Sequence, residues 1–271
     1  MDKVVASAAD AVAGIRSGSR IAVGGFGLSG IPWILIDALL DQGADELEIV
    51  SNNLGVDGAG LGRLLAAGRI RRAISSYIGE NKEFARQFLA GELEVELTPQ
   101  GTLAERLRAG GAGIGAFFTP SGVGTLVSDG GMPLRYAPDG SIAVASPPKE
   151  VREFNGKQMV LEHGIVSDVA LVRAAVADRH GNCRFHAAAQ NFNPPAAMSG
   201  RLTIVEAEKV VEPGVIGPDD VHLPGVFVQR IVELTPEEAN RKMIEKRTTT
   251  ARPETTTARP ETTTARPEQE A

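Results

Sequence analysis

Short apolar runs alternate with helical patterns through residues 1–110, and this alternation most constrains the fold. Four runs rich in β-branched and other apolar residues predict strands at 21–23, 47–50, 70–75 and 93–97. Segments with apolar residues at helical spacing predict helices at 4–15, 32–40, 61–67, 82–89 and 102–109. Strands that alternate with helices form parallel sheets, because each crossover helix packs against a face of the sheet. The sequence therefore predicts an α/β protein with an open, mostly parallel sheet and flanking helices.

The second half of the chain is less regular and predicts a β-rich insertion. Residues 110–125 are expected to form a long glycine-rich loop, and two hairpins follow it. Their turns are predicted at Pro138-Asp139-Gly140 and at Asn155-Gly156. A further strand is predicted near 169–176. We expect residues 1–234 to form one domain.

The chain changes character after Glu233. Residues 235–247 are rich in charge and predict a helical linker, and the heptapeptide TTTARPE then occurs three times in residues 248–268. Each repeat is neutral, contains proline and has no large apolar side chain, so burial cannot offset its ordering entropy. The seven-residue period does not indicate a coiled coil, because apolar a and d positions are absent. We therefore expect a disordered tail at 248–271.

Charge and cysteine content narrow the classes of function. The net charge of −6 argues against a nucleic-acid partner, because proteins that bind phosphate backbones concentrate Lys and Arg. Cys183 is the only cysteine, so no intrachain disulfide can form and a reducing compartment is favoured. No run approaches the roughly 18 apolar residues of a membrane helix, and residues 1–18 lack the apolar segment of a secretion signal. We expect a cytoplasmic protein with no membrane partner.

Gly25, Gly27 and Gly30 spell Gly-x-Gly-x-x-Gly between the first predicted strand and the helix that follows it. This is the spelling and the context of a dinucleotide-binding turn. Such a turn also requires an acidic residue near the end of the second strand, where this chain has Asn52 and Asn53. A neutral amide is a poor partner for the two ribose hydroxyls, so NAD binding is the less favoured interpretation.

Two other glycine-loop sites are excluded by the residues that follow the turn. A phosphate-binding P-loop requires Gly-Lys-Ser/Thr, and none follows here. The nucleophile elbow of hydrolases would need glycine two positions after Ser29, where Ile31 stands. Two interpretations of the glycines stay open. In the first, the N–H groups at the start of the helix hold an anionic or polarised group. In the second, the glycines only allow the helix and the strand to pack closely.

Primary amides follow two of the predicted strands, at the positions where open parallel sheets keep their sites. Asn52 and Asn53 come after the second strand, and Gln100 comes after the fourth. Uncharged amide donors suit a carbonyl oxygen that becomes an oxyanion. The same residue types also cap turns in many loops, so the amides alone do not decide the chemistry.

A nucleophile is harder to find in the sequence. Glu80 precedes a predicted helix and is better explained as a cap of that helix. Cys183 has no CxxC partner, and the histidines have no spacing typical of metal ligands: His163, His180, His186 and His222. The residues therefore predict half of a catalytic site, with donors and a glycine turn but no nucleophile.

Four blocks of sequence, taken in order, resemble one family. They are VGGFGLSGIP, SNNLGVDGAGLGRLL, GENKEFARQFLAGELEVELTPQGTLAERLRAGGAGIGAFFTPSGVGT and AAQNFNPPAAMSG. Together they resemble the alpha subunit of the 3-oxoacid CoA-transferases over residues 1–234, and TPQGTLAERLRAGG is a highly specific block. Ser29 stands where members of that family commonly carry Cys, and the TTTARPE tail has no counterpart that we expect in the family.

The resemblance implies transfer of CoA from an acyl-CoA, typically succinyl-CoA, to a 3-oxoacid, typically acetoacetate, without a metal or redox cofactor. In that family a glutamate carboxylate attacks the thioester and forms an acyl-glutamyl anhydride, and the CoA thiolate then captures the glutamyl carbonyl. The glutamate lies in a Ser-Glu-Asn-Gly motif of the family's beta subunit, and this motif does not occur in the present sequence. The resemblance therefore implies that this chain is catalytically inactive alone and forms an active heterodimer or heterotetramer with a beta subunit.

The resemblance also assigns roles to residues of this chain. Gln100 would help to hold the oxyanion, and Asn52 and Asn53 would line the acyl pocket. Phe192 and Asn193 are further candidates for that pocket. The glycine turn would shape the wall that faces the partner's glutamate, through Gly24, Gly25, Phe26 and Gly27.

Two alternative functions stay open at this point. The alpha subunit of a 3-oxoadipate CoA-transferase differs only in its acceptor acid, which the sequence does not distinguish. A ligand-binding regulatory module of the same fold, such as a sugar-phosphate sensor, would bind an effector without any acyl-CoA partner.

Overall fold

Strands and helices alternate through residues 1–111. The computed structural model describes residues 1–79 and 81–242. The strands of this half are β1 (Arg20–Val23), β2 (Leu47–Val50), β3 (Ile70–Ser75) and β4 (Glu94–Leu97). The helices are α1 (Ala8–Val12), α2 (Trp33–Gln42), α3 (Leu61–Ala66), α4 (Lys82–Leu89) and α5 (Gln100–Gly111). The strands and helices predicted between residues 20 and 111 are confirmed.

A β-rich insertion, residues 116–163, separates the two halves of the chain. Its elements are β5 (Ala116–Thr119), α6 (Leu126–Asp129), β6 (Pro133–Tyr136), β7 (Ile142–Ala145), β8 (Val151–Phe154) and β9 (Lys157–His163). Strands β5, β9 and β8 form an antiparallel sheet, and β6 and β7 form a hairpin. Both predicted hairpin turns are confirmed. The prediction of loop throughout 110–125 was wrong at β5, because that segment becomes a strand only by pairing with β9.

The rest of the described residues complete the sheet and include a short helix after its last strand. Its elements are β10 (Ser167–Ala174), β11 (Val176–Asp178), β12 (Cys183–Arg184), α7 (Asn193–Ser199), β13 (Gly200–Ala207), β14 (Val210–Val211), β15 (Arg230–Glu233) and α8 (Pro236–Asn240). Helix α8 occupies part of the charged segment predicted at 235–247. The TTTARPE repeats lie outside the described residues. Within the described residues no helix has the length and apolar character that would carry it through a membrane.

The strand order places β1 in the interior of the central sheet. The order is β15-β13-β10-β1-β2-β3-β4, and every neighbouring pair is parallel. The chain builds outward from β1 to β4 and returns after the insertion to the other side of β1 with β10. The order therefore reverses between β1 and β10, which is where open parallel sheets bind ligands, outside the carboxyl ends of the strands. The predicted fold class is confirmed.

Both faces of the central sheet are buried, since successive side chains of a strand point to opposite faces. On β1, Ile21 and Val23 join a core with helices α1 to α4, whereas Ala22 joins a second core with α5 and α7. Small residues line the second face and let α7 lie close to β1 and β10: Ala22, Ala170, Ala196 and Ala197. The start of α7 is thereby held near the end of β1.

The first helix is shorter than its apolar spacing predicts. A helix was expected over residues 4–15, but α1 starts after Ser7, whose hydroxyl accepts the Asp10 N–H (3.1 Å). Val4 instead forms a parallel bridge with Ile231 on the edge strand β15. Pairing there satisfies backbone groups of an edge strand that a helix at residues 4–7 would leave unpaired. The prediction was wrong because this contact joins opposite ends of the chain.

Cys183 is buried in the second core. Burial raises the pKa of its thiol to about 12, so almost no reactive thiolate forms at neutral pH. We expect the native chain to resist iodoacetamide at neutral pH and to take up one label after denaturation in urea. Mass spectrometry of the labelled chain checks this, and labelling of the native chain at the rate of a free thiol would contradict it.

Candidate functional site

The loops that follow β1, β2, β3 and β4 emerge at one edge of the sheet, because these strands are parallel. The first of these loops also lies beside the carboxyl end of β10, since β1 and β10 are neighbours. This edge carries the predicted glycine turn and all three predicted loop amides: Asn52, Asn53 and Gln100. Residues that are distant in the sequence are thus brought to one place.

The loop after β1 folds into a tight turn at residues 24–30. The Phe26 N–H donates to the Ser29 carbonyl (3.0 Å), and the Ser29 N–H donates to the Phe26 carbonyl (2.9 Å). Gly25 and Gly30 bracket this pair with positive φ (106° and 71°), a region that residues with a Cβ avoid. The turn leaves Phe26 47% exposed at the edge of the sheet.

The loop after β2 forms a tight turn of the same kind at residues 55–60. Val56 and Ala59 exchange backbone hydrogen bonds (3.4 and 3.0 Å). Gly55 and Gly60 bracket them, again with positive φ (67° and 58°). This second turn was not predicted from the sequence. Its signal is the Gly-x4-Gly spacing, which occurs in both loops.

The paired glycine turns, residues 24–30 and 55–60, pack against each other. An apolar cluster joins them and consists of Leu28, Ile31, Trp33 and Ala59, with Val56 against it. A Cβ at Gly60 would approach Ile31 Cδ1 to 2.8 Å, so a larger residue would push the two turns apart. The turns therefore form one unit at the edge of the sheet.

The start of α2 binds a carboxylate that belongs to the protein itself. Glu206 Oε2 accepts the N–H groups of Ile34 (2.9 Å) and Leu35 (3.0 Å), and Glu206 is fully buried on β13. An anion does lie at this helix start, as one of the open interpretations proposed, but it is an internal side chain. A dinucleotide would need those same N–H groups for its pyrophosphate. The structure therefore argues against NAD at this turn.

Asn52 and Gln100 meet at the carboxyl edge. Gln100 Nε2 donates to Asn52 Oδ1 (3.0 Å), and Ser76 Oγ donates to the same oxygen (3.0 Å). Asn52 is 1% exposed, whereas Gln100 is exposed at the start of α5. A primary amide has two N–H donors, so the bond to Asn52 orients Gln100 and leaves its second N–H to serve another acceptor.

Two further side chains lie close to this pair. Asn53 is buried, and its Oδ1 accepts the Gly55 N–H (3.4 Å), so it braces the second glycine turn. Tyr77 follows β3 at the same edge and is 58% exposed. Sequence analysis missed Tyr77, and the only signal for it is its position just beyond a strand.

Phe192 and Asn193 lie behind the first glycine turn. Phe192 packs in the second core. Asn193 is fully buried, donates to the carbonyls of Gly30 (2.9 Å) and Ala189 (2.8 Å), and accepts the Arg173 N–H (3.1 Å). Asn193 therefore contacts the turn directly, and the predicted place of both residues in a substrate pocket stays a prediction.

A cavity of about 100 Å³ lies beside the first glycine turn, between β10, α2 and the end of the described chain. The turn contributes Ser29 and Gly30 to its wall. The remaining polar residues of the wall are Arg173, His186, Glu208, Arg241 and Lys242. The cavity thus lies at the point where the strand order reverses, next to the predicted site.

The described residues bring together no three His, Cys, Asp or Glu side chains that could hold a metal ion. His222 has a structural contact, because its Nδ1 accepts the Phe185 N–H (3.1 Å). Glu80, interpreted above as a helix cap, lies outside the described residues.

Comparison with known proteins decides the family. A family model described as Coenzyme A transferase matches residues 5–234. This chain belongs to the coenzyme A transferase family. The family resemblance and the enzyme class drawn from it are confirmed.

Relatives within the family differ in length. A Mycobacterium tuberculosis protein, named as the probable A subunit of succinyl-CoA:3-ketoacid coenzyme A transferase, is 65% identical over 248 residues, which are 92% of this chain and 99% of that protein. The mouse protein named succinyl-CoA:3-ketoacid coenzyme A transferase 2A, mitochondrial, is 51% identical over 239 residues, covering 88% of this chain but 45% of the mouse protein. The structure of glutaconate coenzyme A-transferase from Acidaminococcus fermentans has a related fold, with a TM-score of 0.71 and 24% identity over 89% of this chain and 78% of that chain.

Proposed function

We propose that this chain is the non-nucleophilic alpha subunit of a CoA-transferase that moves CoA from succinyl-CoA to a 3-oxoacid such as acetoacetate. One observation carries the proposal: the Gln100 amide is held by Asn52 at an exposed edge, where Asn52 leads into the second glycine turn. That edge offers donors for an oxyanion, while the sequence has no Ser-Glu-Asn-Gly motif. The name of the M. tuberculosis relative supports both the substrates and the place of this chain in the enzyme.

The nucleophilic glutamate would then come from a second chain, the beta subunit. More than half of the mouse relative lies outside its match with this chain, so a single polypeptide there has room for a second set of site residues. In the present enzyme a separate chain would carry Ser-Glu-Asn-Gly and dock against the edge described above. The assembly would be a heterodimer or a heterotetramer.

The proposed reaction divides the work between the two chains. The partner's glutamate carboxylate attacks the thioester carbonyl, the C–S bond breaks, and CoA leaves as the thiolate. The second N–H of Gln100 stabilises the negative oxygen of the tetrahedral centre. The thiolate then attacks the glutamyl carbonyl of the anhydride and releases the first acid as a carboxylate. The same steps in reverse load the 3-oxoacid. No electrons change hands, so no redox cofactor is required, and the family resemblance implies no metal.

The glycine turn would form the wall that faces the partner's glutamate. Gly24, Gly25 and Gly27 keep the backbone of this wall free of side chains, and Phe26 presents an exposed ring on it. An acyl-glutamyl anhydride must be kept from water, and an apolar ring covered by the partner would do this. Asn53 would line the acyl pocket beside Asn52. We place Phe192 and Asn193 behind this wall, as its support.

Co-purification and native mass spectrometry test how the two chains assemble. We expect a complex of this chain with an unlike chain that carries Ser-Glu-Asn-Gly, and no transferase activity from this chain alone. The complex is then assayed with succinyl-CoA and either acetoacetate or 3-oxoadipate, which decides the acceptor acid. A chain that is fully active alone would overturn the proposal. A homo-oligomer without such a partner would also overturn it and would favour the regulatory module.

We also propose that the enzyme works in the cytoplasm. Its single cysteine can form no intrachain disulfide, which suits a reducing compartment. Fractionation of the source cells, with transferase activity followed in each fraction, tests this location.

Deletion of residues 248–271 is expected to leave assembly and turnover unchanged. The TTTARPE repeats are neutral and lack large apolar side chains, and the family match ends at residue 234. Native mass spectrometry and steady-state turnover of the truncated chain check this against the full chain. Loss of the partner, or a fall in turnover of more than about threefold, would show that the tail takes part.

A further inference from the structure

A buried ion pair joins β10, which lies next to β1, and β13, which lies on the far side of β10. Arg173 and Glu206 are partners in the sheet register, and Arg173 Nη1 lies 3.2 Å from Glu206 Oε1. Their side chains are 5% and 0% exposed. Such a pair adds little to stability, because the desolvation of both charges offsets their attraction. Its position next to the proposed site suggests another role.

Glu206 holds the segment through which the chain leaves the first glycine turn. Its Oε2 accepts the N–H groups of Ile34 and Leu35, in the first turn of α2 and only a few residues beyond Gly30. Hydrogen bonds to a charged carboxylate are among the strong ones in proteins. Glu206 therefore sets the place where α2 begins.

The backbone of Arg173, not its guanidinium, is tied to the same turn through Asn193. The Arg173 N–H donates to Asn193 Oδ1, and Asn193 Nδ2 donates to the Gly30 carbonyl. At the other end of the turn, the Gly24 N–H donates to the carbonyl of Leu171 on β10 (2.9 Å). Both ends of the turn are thus bound to the backbone of β10, the strand on which Arg173 lies.

The Arg173 guanidinium has further contacts besides Glu206. Its Nη2 lies 3.0 Å from Glu208 Oε1 and donates to the Ala239 carbonyl (2.7 Å), just beyond β13 and on α8. Further ionisable groups near the pair in the described part of the chain are Asp37, His186, Arg241 and Lys242. Contacts with Glu206 on β13, with Glu208 and with the Ala239 carbonyl on α8 therefore fix the position of the guanidinium.

We propose that Arg173 and Glu206 are positioning residues of the transferase reaction, which hold the first glycine turn where the acyl site needs it. This inference rests on the proposed function, in which the turn forms the wall that faces the partner's glutamate. The Glu206 carboxylate acts through the backbone N–H groups of α2, and the Arg173 guanidinium acts by holding Glu206. A displacement of about 1 Å in a reacting geometry can lower a rate about 10²-fold. The ion pair therefore contributes more to the rate of acyl transfer than to the stability of the fold.

The double variant Arg173→Met with Glu206→Gln tests the proposal in the assembled two-chain enzyme. It removes both charges, and the neutral amide oxygen that replaces the carboxylate accepts the N–H groups of α2 more weakly, so the fold is kept while the start of α2 is held less firmly. We expect kcat to fall at least about tenfold and KM to change less than about threefold. The urea midpoint should stay close to that of the wild type.

Arg20→Met with Glu48→Gln is the matched control. Arg20 and Glu48 are also register partners on neighbouring parallel strands, with 2.8 Å between Nε and Oε1 and with Glu48 buried, but they lie at the amino ends. We expect this control to keep the wild-type kcat. Equal loss in the control, or turnover of R173M/E206Q within about threefold of wild type, would overturn the positioning role. If R173M/E206Q does not fold, Glu206→Gln alone is measured and judged in the same way.

Trp33 provides a readout that needs no partner chain. It is the only tryptophan, it opens α2, and it is buried beside the first glycine turn. Burial raises the pKa of Glu206 to about 7, and the Arg173 charge partly opposes this shift. Because the charged carboxylate binds the α2 N–H groups more strongly than the neutral acid does, kcat should be higher on the alkaline side of this pKa. Trp33 emission should change over the same pH range.

Two variants separate Glu206 from its titratable neighbour His186. Glu206→Gln should abolish the pH transition of Trp33 emission, whereas His186→Gln should keep it. A transition that persists in E206Q, or one that is absent from the wild type, would show that Glu206 does not set the start of α2. Lack of transferase activity in the wild-type assembly would instead overturn the proposed function, and Trp33 emission would still decide whether the pair positions the turn.

Discussion

Gln100→Ala in the assembled enzyme is expected to lower turnover about 10²-fold without disturbing the fold. The lost amide N–H is a preorganised donor to the oxyanion, so its removal raises the barrier of each acyl transfer. The fold should tolerate the change, because Gln100 is exposed and Asn52 Oδ1 keeps the Ser76 hydroxyl as a donor. Steady-state kcat with saturating succinyl-CoA and acetoacetate is the measurement.

Gln158→Ala is the matched control for this variant. Gln158 is an exposed glutamine on β9 that donates to Glu153 (3.2 Å), and its truncation should leave turnover unchanged. Asn52→Ala should lower turnover by a smaller factor than Gln100→Ala, since Asn52 orients the donor. A fall of less than about threefold for Gln100→Ala would remove this residue from the oxyanion role.

Gly24→Ala is expected to destabilise the fold by about 3 kcal/mol and to remove most of the turnover. A Cβ at Gly24 would occupy the space of the Asn193 side chain and lie 3.0 Å from its Cα. Asn193 would have to move and would lose buried hydrogen bonds to Arg173 and Gly30. Urea unfolding of the chain measures the loss of stability.

Two further variants identify the cause of that loss. Gly115→Ala is the control, because a Cβ there meets no atom within 4 Å, and its effect should stay within about 0.5 kcal/mol. Asn193→Ala removes the side-chain atoms that a Cβ at Gly24 would meet. The double variant Gly24→Ala with Asn193→Ala should therefore lose less stability than the sum of the two single variants. Strict additivity, or a wild-type midpoint for Gly24→Ala, would contradict the close contact.

The central sheet could be predicted because each of its strands and helices has a recognisable pattern within its own stretch of sequence. Strands that are buried on both faces appear as short continuous apolar runs, and the helices between them have their own spacing. The exceptions depend on distant partners. Residues 116–119 form a strand only by pairing with β9, and Val4 leaves its predicted helix to pair with Ile231. No window of local sequence contains either partner.

The candidate site was predictable to the same extent. Asn52 and Gln100 could be placed together, although 48 positions separate them, because both follow parallel strands at one edge. Glu206 could not be predicted as the anion of the helix start, since it lies on β13, 172 positions from Ile34. The glycine motif predicts that an anion suits this helix start, but it does not indicate whether a ligand or the protein supplies that anion.

The internal carboxylate at the start of α2 also affects which metabolites compete for this enzyme. A Gly-x-Gly-x-x-Gly turn with free N–H groups attracts the phosphates of any nucleotide that diffuses to it. Here the N–H groups of Ile34 and Leu35 already donate to Glu206, so their hydrogens are not free to bind an arriving phosphate. We therefore expect that free nucleotides do not bind at these N–H groups and do not inhibit the enzyme through this turn.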